Sequence, residues 1–547
     1  MKGASFLVSF FLCASIGFGC SSTEDRQNPP AHTSQETSPR QARPIPNDGF
    51  YSLVPESEKF MRNPDFPNGY SNPLEHIPIP QHPFMAPNGS STMHNDAYMT
   101  DAYAQPGPLG YDPQVASTYY GIGDCLTVAF DKQNRIVSVC VGLEAPRLVL
   151  LEPDTLDEIA SYTLPPKPWY WALDKNINVL QDTSGGAYFY LDHRDDAIVT
   201  THDRRLLAVR APADGESAFQ IVGEYDLSAH VVARPWPEGD RIGPALPDWG
   251  GRYYWYTTRY GMVGTVDQST GDVRSMELAG EQIQNSPAVG EDGFYVVTDH
   301  ALYRFSADAE GNPRIDWRSV YERGSRKKPG MFTQGSGTTP TLIGDLVAIA
   351  DNADPRMHVC LFRRADGLEV CPPVPVFEQG ESATENSLIA FARPAIDTTV
   401  YSFIVENNYG YEDFLATTGG RSTVGGVSRI DAVIDGTGAC VDSRVVWTSD
   451  AISPTTVPKL SLGNGLIYLY TKDPTEMIDM WYFTAIDFET GRLVYKVLTG
   501  TGLGYNNHYA PVTIDPDGRA YVGSLAGLIS IRDAIHPRDG RPPDPRQ

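Results

Sequence analysis

The sequence predicts an all-β protein made of repeated strand units, and three observations support this fold class. Gly, Pro and Tyr are abundant, at 50, 44 and 29 of 547 residues, and this composition suits many short strands joined by turns. From about Gly123 onward, β-branched and aromatic runs alternate with acidic or Gly-containing turns. The units recur at spacings of roughly 40 to 70 residues, as four-stranded blades around a central channel do. We therefore predict a single β-propeller over residues 123–535.

The first nineteen residues have the pattern of a secretory signal peptide. Lys2 precedes an apolar run from Phe6 to Phe18, which is too short to remain as a membrane span. The run ends at Gly19-Cys20 and a polar tail follows, which resembles the lipobox of bacterial lipoproteins except for Gly17, where that pattern has Leu. Cleavage of the same bond by an ordinary signal peptidase is the alternative. Either interpretation predicts export, and the first predicts lipidation of Cys20.

The segments around the predicted propeller differ from it in composition. Residues 20–72 hold the lipid-attachment cysteine and a stretch rich in Pro, Ser, Thr, Gln and charge, which predicts a disordered tether. Residues 73–122 stay rich in Pro, Gly and Asn but gain His, Met and aromatic side chains, so we expect an irregular extension packed on the propeller. Residues 536–547 are predicted to be a disordered tail.

The repeat pattern predicts eight blades, with seven as the alternative. Residues 286–305 and 510–531 match nearly position by position. The other units are looser, and they begin near Leu126, Asn178, Pro244, Thr339, Asn386 and Val457. The units from Asn178 and Asn386 are hard to divide, which leaves the count open. The last unit ends near Ala534 after three strands, so we expect the ring to close with a strand from before Gly123, because an unpaired sheet edge is unfavourable.

The two matching units resemble the repeats of the quinoprotein alcohol-dehydrogenase-like superfamily, also described as PQQ-like repeats. The shared features are a Pro-containing inner strand at Pro511, the strand Tyr521-Val522-Gly523 and the turn Gly527-Leu528. Members of this superfamily include enzymes and also lipoprotein scaffolds, such as the propeller subunit of the outer-membrane β-barrel assembly machine. The resemblance therefore implies a fold and leaves activity open.

The resemblance also implies cofactors, namely calcium and, less directly, pyrroloquinoline quinone. Because Ca²⁺ takes oxygen ligands, we predict metal ligands among the carboxylate and amide side chains next to inner strands: Asp351, Asn352, Glu385, Asn386 and Asn407. The same residue types are common turn formers, which is the alternative interpretation. The candidate catalytic residues near the channel mouth are Glu385, Glu406 and His508. The adjacent cysteines of many quinone enzymes are missing from the sequence.

Two further groups of residues are candidates for ligand contact. Trp169 and Trp171 follow the Pro-rich residues 165–168 in a predicted loop, and their rings could stack on a sugar, a quinone or another flat ligand. The segments 82–85 and 93–96 combine His, Met and Asp side chains, a mixture that can bind a transition metal. They lack tight ligand spacing, so we expect a packed, capping segment there instead.

The cysteines of the predicted propeller indicate disulfides in an exported protein. Cys125 and Cys140 flank a predicted turn symmetrically, and Cys360 and Cys371 flank another. We predict one cross-strand disulfide in each hairpin. Cys440 is left over and is predicted to be a buried thiol.

Charge and composition restrict the partners. The chain has 43 Lys and Arg against 68 Asp and Glu, a formal net charge of -25. This charge argues against nucleic acid as a partner, because recognition of phosphate groups needs clustered Lys and Arg side chains. We expect a membrane, through the lipid anchor, and an envelope protein or a small ligand as partners, at the periplasmic or cell-surface face of a membrane. The predicted function is that of a binding or scaffold module. The alternative is a dehydrogenase or calcium-dependent hydrolase with its site in the axial channel.

Overall fold

The computed structural model describes residues 39–534, except 143, 168–183, 217 and 232–239. These residues form eight β-sheets arranged as an eight-bladed β-propeller, which confirms the predicted fold class. In the described part of the chain, helical structure consists of the short helix α1 (Glu56–Lys59) and three 3-10 turns: Tyr51–Leu53, Phe414–Thr417 and Leu503–Tyr505. Among the described residues, no helix has the length and apolar character needed to span a membrane.

Between residue 39 and the first blade lie three short strands: β1 (Phe60–Arg62), β2 (Ala102–Tyr103) and β3 (Gln114–Tyr119). Blades 1 to 4 are antiparallel sheets of four consecutive strands each. Blade 1 is β4 (Gly123–Phe130), β5 (Ile136–Gly142), β6 (Arg147–Leu151) and β7 (Glu158–Thr163); blade 2 is β8 (Tyr190–Leu191), β9 (Asp196–Thr200), β10 (Arg205–Arg210) and β11 (Gln220–Asp226). Blade 3 is β12 (Ile242–Pro247), β13 (Tyr253–Thr258), β14 (Met262–Asp267) and β15 (Val273–Glu277); blade 4 is β16 (Ala288–Gly290), β17 (Gly293–Val297), β18 (Ala301–Ala307) and β19 (Pro313–Val320).

Blades 5 and 6 repeat this order, whereas blades 7 and 8 take up N-terminal strands. Blade 5 is β20 (Thr341–Ile343), β21 (Leu346–Ala350), β22 (His358–Arg363) and β23 (Val374–Pro375); blade 6 is β24 (Ile389–Ala395), β25 (Thr398–Glu406), β26 (Val427–Asp435) and β27 (Cys440–Ser449). Blade 7 is β28 (Lys459–Ser461), β29 (Leu466–Thr471), β30 (Met480–Asp487) and β31 (Leu493–Thr501), with β2 on its inner edge and β1 on its outer edge. Blade 8 is β32 (Val512–Ile514), β33 (Ala520–Ser524), β34 (Gly527–Arg532) and, outermost, β3.

The ring closes through β3, as the sequence predicts. This strand pairs antiparallel with β34 from Gln114 opposite Arg532 to Tyr119 opposite Gly527. Gly527 has a φ of 149°, and a Cβ at this position would lie far inside van der Waals contact with the carbonyl oxygen of Thr118. Glycine is required here because any side chain would push β3 away from the sheet.

Burial decreases from the axis outward, and the sequence pattern follows this gradient. All six residues of β13 are buried, which explains its unbroken aromatic and β-branched run, since both of its faces pack against neighbouring blades. The outer strand β27 instead alternates between half-buried and exposed residues, as expected of a strand with one solvated face. The blades therefore pack face to face around the axis, and their outer strands are partly exposed to solvent.

Acidic turns close the hairpins within the blades. In blade 8, one carboxylate oxygen of Asp515 accepts hydrogen bonds from the backbone N–H groups of Asp517 and Arg519, at 2.9 and 2.8 Å. Gly518 between them has a φ of 83°, a conformation that favours glycine. This arrangement explains the recurrent Asp and Gly at the turns of the repeat.

The N-terminal extension passes through the inside of the ring. We call residues 85–105 the inner strap. Its carbonyl groups accept hydrogen bonds from inner-strand N–H groups of four successive blades: Val289 to Ala97, Leu342 to Tyr98, Ala390 to Thr100 and Leu460 to Asp101, at 2.8 to 3.1 Å. The inner strap thus satisfies backbone donors that would otherwise face the channel without partners.

One predicted disulfide is confirmed and the other is wrong. Cys125 and Cys140 are bonded across the first hairpin of blade 1. Cys371 is bonded to Cys440 of blade 6, with 5.4 Å between their Cα atoms, whereas Cys360 is a buried free thiol.

The physical reason for the wrong pairing is that the hairpin after β22 is not symmetric. Phe362 lies opposite Glu369, and continuation of that register would pair Val359 with Pro372. Val359 instead pairs with Val374. The register therefore slips near Cys371, whose sulfur bonds to the neighbouring blade.

Candidate functional site

A cavity of about 380 Å³ occupies one mouth of the channel, where the inner strands begin. Blades 2 to 8 each contribute a lining residue from the start of the inner strand or just before it: Tyr188, Pro244, Asn285, Thr339, Glu385, Val457 and His508. Met93 and His94 of the inner strap also line the cavity. We call this cavity the axial pocket. Because the strap lies inside the ring, it closes the pocket on the side away from the mouth.

The strap part of the axial pocket is fixed by a buried polar cluster. His94 Nδ1 lies 3.1 Å from Asp101 Oδ1 and 3.1 Å from Ser387 Oγ. Lys459 of β28 is ion-paired with Asp101 and donates to the carbonyl oxygen of Met93 at 2.5 Å. Burial favours a raised pKa for Asp101, but the nearby Lys459 and His94 outweigh it and hold this pKa below its ordinary value.

The ionised Asp101 sets the tautomer of His94. A carboxylate can only accept hydrogen bonds, so Nδ1 of His94 is the protonated nitrogen. In a neutral imidazole the other nitrogen, Nε2, is then a hydrogen-bond acceptor. Since Nε2 lies on the opposite side of the ring from Asp101, and His94 lines the axial pocket, the strap supplies the pocket with an imidazole of fixed orientation.

Glu385 is a buried acid in the pocket wall. Its Oε1 accepts from the backbone N–H of Phe332 at 2.5 Å. Asn285 donates to the carbonyl oxygen of Glu385 at 2.8 Å and accepts from Tyr188 at 2.9 Å. Burial raises the pKa of Glu385 to about 7, although the Phe332 N–H and the charges of Arg259 and Lys327 act in the opposite direction. This acid is therefore partly protonated near neutral pH.

Glu406 lies next to the pocket but does not line it. Asn386 donates to its Oε1 and also to the carbonyl oxygens of Thr455 and Thr456, at 3.1 and 3.2 Å. Asn408 donates to the same oxygen at 2.9 Å. Burial raises the pKa of Glu406 to about 8. Asn386 itself lines the pocket, so this network joins the pocket wall of blade 6 to the start of blade 7.

The three remaining predicted metal ligands support loops. Asn352 donates to the carbonyl oxygens of Arg323 and Arg326. Asn407 Oδ1 accepts from two backbone N–H groups and its Nδ2 donates to two carbonyl oxygens. Asp351 pairs with His358, at 2.8 Å. The alternative to metal binding, in which these residue types stabilise turns and loops, therefore describes these three residues.

These side chains do not fit a calcium site. Asn407 Oδ1 and Glu385 Oε1 are already engaged by backbone donors, and Asp351 and Asn352 belong to a separate cluster around His358 and Arg323. A calcium site needs at least six oxygen ligands turned towards one point. Within the described ranges, no cluster of three or more His, Cys, Asp and Glu residues could hold a metal ion. Calcium and pyrroloquinoline quinone stay predictions, and we derive no chemical step from them.

His508 lies in an aromatic part of the pocket wall. Its Nδ1 is 3.2 Å from the hydroxyl of Tyr411. Tyr509 packs edge-to-face against Tyr411, with centroids 5.7 Å apart, and lies 5.3 Å from the ring of Phe332. The predicted stacking residues Trp169 and Trp171 lie outside the described residues. The rings of Phe332, Tyr411 and Tyr509, which the structure does describe, were not among the residues that the sequence predicted to stack on a ligand.

Several other lining residues also escaped the sequence analysis. They are the cationic and amide side chains of Arg241, Arg259, Gln284 and Lys327. Arg241 and Gln284 lie just before the inner strands of their blades, which is the signal that selected Glu385 and could have selected them. Both amide atoms of Gln284 are buried and have no hydrogen-bond partner in the part of the chain that is described. A buried, unsatisfied amide is costly, so a bound molecule that pairs with it would be stabilised.

Comparisons with known proteins show limited similarity. No protein family model matches the chain. An uncharacterized protein of Archaeoglobus fulgidus is 28% identical over 309 residues, which are 51% of this chain and 58% of that protein. The chain thus spans less than two thirds of the length of this relative.

Solved structures with similar folds include BamB from Moraxella catarrhalis, at 15% identity and a TM-score of 0.30, covering 62% of this chain and 92% of that chain. Another is Chaetomium thermophilum Sqt1 bound to the N-terminus of ribosomal protein L10, at 13% identity and a TM-score of 0.40, covering 76% and 98%. These scores are low, so the fold assignment rests on the strand topology. Fold and site together define a β-propeller whose axial pocket is closed by its own N-terminal strap.

Proposed function

We propose that this chain is an exported binding module of the cell envelope that holds a small ligand in its axial pocket. The observation that carries the proposal is the pocket itself, a cavity of about 380 Å³ closed by the inner strap. Pockets for small molecules are typically roughly 300 to 1,000 Å³ and combine aromatic surface with a few oriented polar groups. The axial pocket has both features.

The pocket is built for low mobility, which supports a binding role. Seven blades contribute to its wall, and the strap is held by backbone hydrogen bonds to four inner strands. Buried hydrogen bonds fix the individual side chains, as for His94 and Glu385. A preorganised pocket loses little conformational entropy when a ligand binds.

Ligand binding is tested with a variant that fills the pocket. Gln284→Trp places an indole in the cavity, and Gln133→Trp makes the same change at an exposed turn of blade 1. Thermal denaturation is measured against a library of metabolites and envelope-derived small molecules. We expect a ligand that raises the melting temperature of the wild type and of Gln133→Trp but not of Gln284→Trp. If no compound produces a shift that depends on the pocket, the binding proposal is wrong.

The envelope part of the proposal is supported by the sequence of residues 1–72 and has its own test. Cys20 at the end of the signal pattern is the proposed site of lipidation, and the polar residues that follow it directly in the sequence are proposed to link the folded part of the chain to the membrane. Cys20→Ser is expected to release the protein from the membrane fraction after cell fractionation. A Cys20→Ser protein that remains in the membrane fraction would contradict lipid anchoring and leave ligand binding untouched.

An enzyme that acts in the axial pocket is the second candidate, and one observation favours it. Glu385, whose pKa is raised to about 7, shares the pocket with the oriented His94, and an acid and a base of this kind are typical of proton-transfer catalysis. The test is product formation from ligands found in the thermal screen. Chemical turnover that is abolished in both Glu385→Gln and His94→Gln would favour the enzyme, whereas ligand recovered unchanged would favour the binding module.

A further inference from the structure

The buried contact between Lys459 and Asp101 brings an amine and a carboxyl group together inside the ring. Both side chains have 0% exposure to solvent, and Lys459 Nζ contacts Asp101 Oδ1 directly. Burial lowers the pKa of Lys459, because an ammonium group loses its hydration in the protein interior. A proton that moves from this ammonium to the carboxylate removes both buried charges and leaves an uncharged amine beside an uncharged carboxylic acid.

The fold holds these two groups in contact and away from water. Lys459 lies on β28, the innermost strand that blade 7 forms from its own segment, and Asp101 lies on the inner strap. The N–H of Leu460 donates to the carbonyl oxygen of Asp101 at 3.1 Å, which fixes the two segments side by side. Reactants held in a suitable geometry reach effective concentrations of about 10⁵ to 10⁸ M. The folded chain therefore favours a reaction between the amine and the acid, and it excludes the water that would reverse it.

His94 is placed to move the protons that such a reaction needs. Its Nδ1 lies 3.1 Å from Oδ1 and 3.3 Å from Oδ2 of Asp101, and Nδ1 is the protonated nitrogen because it faces a carboxylate. Ser387 Oγ donates to Asp101 Oδ2 and lies 3.1 Å from the same Nδ1. An oxygen that leaves the carboxyl group can take its proton from His94, as in general acid catalysis.

We infer that Lys459 and Asp101 condense to an isopeptide bond, an amide between two side chains that ties the inner strap to blade 7. After a proton has passed from the ammonium to the carboxylate, the lone pair of Lys459 Nζ attacks Cγ of Asp101 and forms the C–N bond. One C–O bond of the carboxyl group then breaks. The leaving oxygen takes a proton from His94, and His94 regains a proton from the nitrogen. The products are one amide and one water molecule, and no other reagent is consumed.

The second buried lysine of blade 7 has a different partner environment. Lys472 is also completely buried, and its Nζ lies 3.2 Å from Asp479, which is 13% exposed. The two carboxylate oxygens of Asp479 accept hydrogen bonds from the backbone N–H groups of Gly419 and Gly420, at 3.0 and 2.8 Å. Such bonds stabilise the ionised carboxylate, and an ionised carboxylate resists attack by an amine. Lys472 therefore keeps a free amine.

Peptide mapping of the full chain detects the bond directly. Trypsin cuts after Lys and Arg but not after an acylated lysine, so residues 445–472 should stay joined across Lys459 and end at a normal cut after Lys472. After reduction and alkylation, this peptide should be linked to residues 63–132, which contain Asp101. The mass of the linked pair should be lower than the sum of the two peptides by one water molecule.

Substitutions separate the reacting groups from the proton relay. Lys459→Arg and Asp101→Ala each remove a reacting group and should abolish the linked peptide. His94→Gln keeps both reacting groups and should slow formation of the bond by about 10² to 10⁴-fold, measured as the linked fraction against time after synthesis. Lys496→Arg is the matched control, because it makes the same change in blade 7 at a partly exposed pair with Asp473. The control should form the bond as the wild type does.

Two results would overturn the inference. Complete cleavage of the wild type after Lys459 would show that this side chain keeps a free amine and that the ion pair persists. Formation of the bond at the same rate in His94→Gln and in the wild type would remove the proton relay from the reaction. Neither result bears on ligand binding, which the thermal screen tests separately.

Discussion

Lys459 and Asp101 form an ion pair in which both side chains are completely buried, at 0% exposure. Lys459 belongs to the inner strand of blade 7 and Asp101 to the inner strap, so the pair joins the ring to the segment that it encloses. The same Asp101 carboxylate orients His94. A single carboxylate therefore holds the strap in place and sets a hydrogen-bonding group of the axial pocket.

Removal of this carboxylate should destabilise the fold strongly. Asp101→Asn leaves the ammonium of Lys459 buried without its charge partner, which costs about 3 to 5 kcal/mol in comparable cases. The free energy of unfolding is measured by urea denaturation. Asp442→Asn is the control, because it removes a carboxylate from an exposed pair with Arg444 and such pairs contribute about 0 to 1 kcal/mol. Similar losses in the two variants would show that the buried pair does not anchor the strap.

The closure of the ring should be sensitive to a methyl group at Gly527. Gly527→Ala places a Cβ against the carbonyl oxygen of Thr118 in β3, at a φ of 149°, and we expect a loss of about 2 kcal/mol or more. Gly436→Ala is the matched control, since a Cβ there meets nothing within 4 Å. Limited proteolysis should cut the segment before Gly123 faster in Gly527→Ala alone. Equal protection of that segment in both variants would contradict closure by β3.

Glu406 should make the protein less stable as the pH rises. Its pKa is about 8 in the folded protein, against an ordinary value of 4.5. Between these values the folded state binds more protons than the unfolded state, so the free energy of unfolding falls with rising pH. Glu406→Gln removes this contribution. We expect the variant to match the wild type near pH 4.5 and to exceed its stability near pH 8 by on the order of 4 kcal/mol, since one pKa unit corresponds to about 1.4 kcal/mol.

The control for this pH effect is Glu378→Gln, which changes an exposed acid in the segment after β23. Its difference from the wild type should not vary with pH in the same way. Stability is measured by urea denaturation at several pH values. A Glu406→Gln protein with an unchanged pH dependence would show that Glu406 is ionised in the folded state.

Disulfide mapping should recover a link between two blades. Non-reducing peptide mapping is expected to give a peptide pair that joins Cys371 to Cys440 and another that joins Cys125 to Cys140. Cys360 is buried, so it should react with iodoacetamide only after denaturation. A peptide that links Cys360 to Cys371 would contradict the assigned pairing.

The blades could be predicted from sequence because each is a local unit. Residues 286–305 and 510–531 cover the strands β16 to β18 and β32 to β34 except for the last residues of β18 and β34, and their turns and strand runs are contiguous in the chain. The start predicted near Asn178 lies outside the described residues, and the described inner strand of that blade begins at Tyr190. A two-residue strand carries too little periodicity to be located by pattern.

The strap and much of the pocket could not be predicted in this way. The strap depends on residues such as Asn95, Met99 and Asp101 with positive φ values of 79°, 58° and 56°, and such an irregular backbone has no sequence period. Its partners come from distant blades. His94 was recognised only as part of a mixed segment, because its partner Asp101 becomes visible only when this backbone is traced. Cys371 likewise paired across blades, where hairpin symmetry gives no information.

Enclosure of the strap also affects the order in which the molecule can fold. Lys459 contacts Met93 across 366 positions of sequence and Asp101 across 358. Strand β3 likewise can pair only after β34, the last strand of the propeller, has been reached in the chain. Contacts between residues so far apart in the chain raise the contact order, and a higher contact order slows folding. The blades cannot close into a finished ring one after another, because the last of them must join while the strap already lies at the centre.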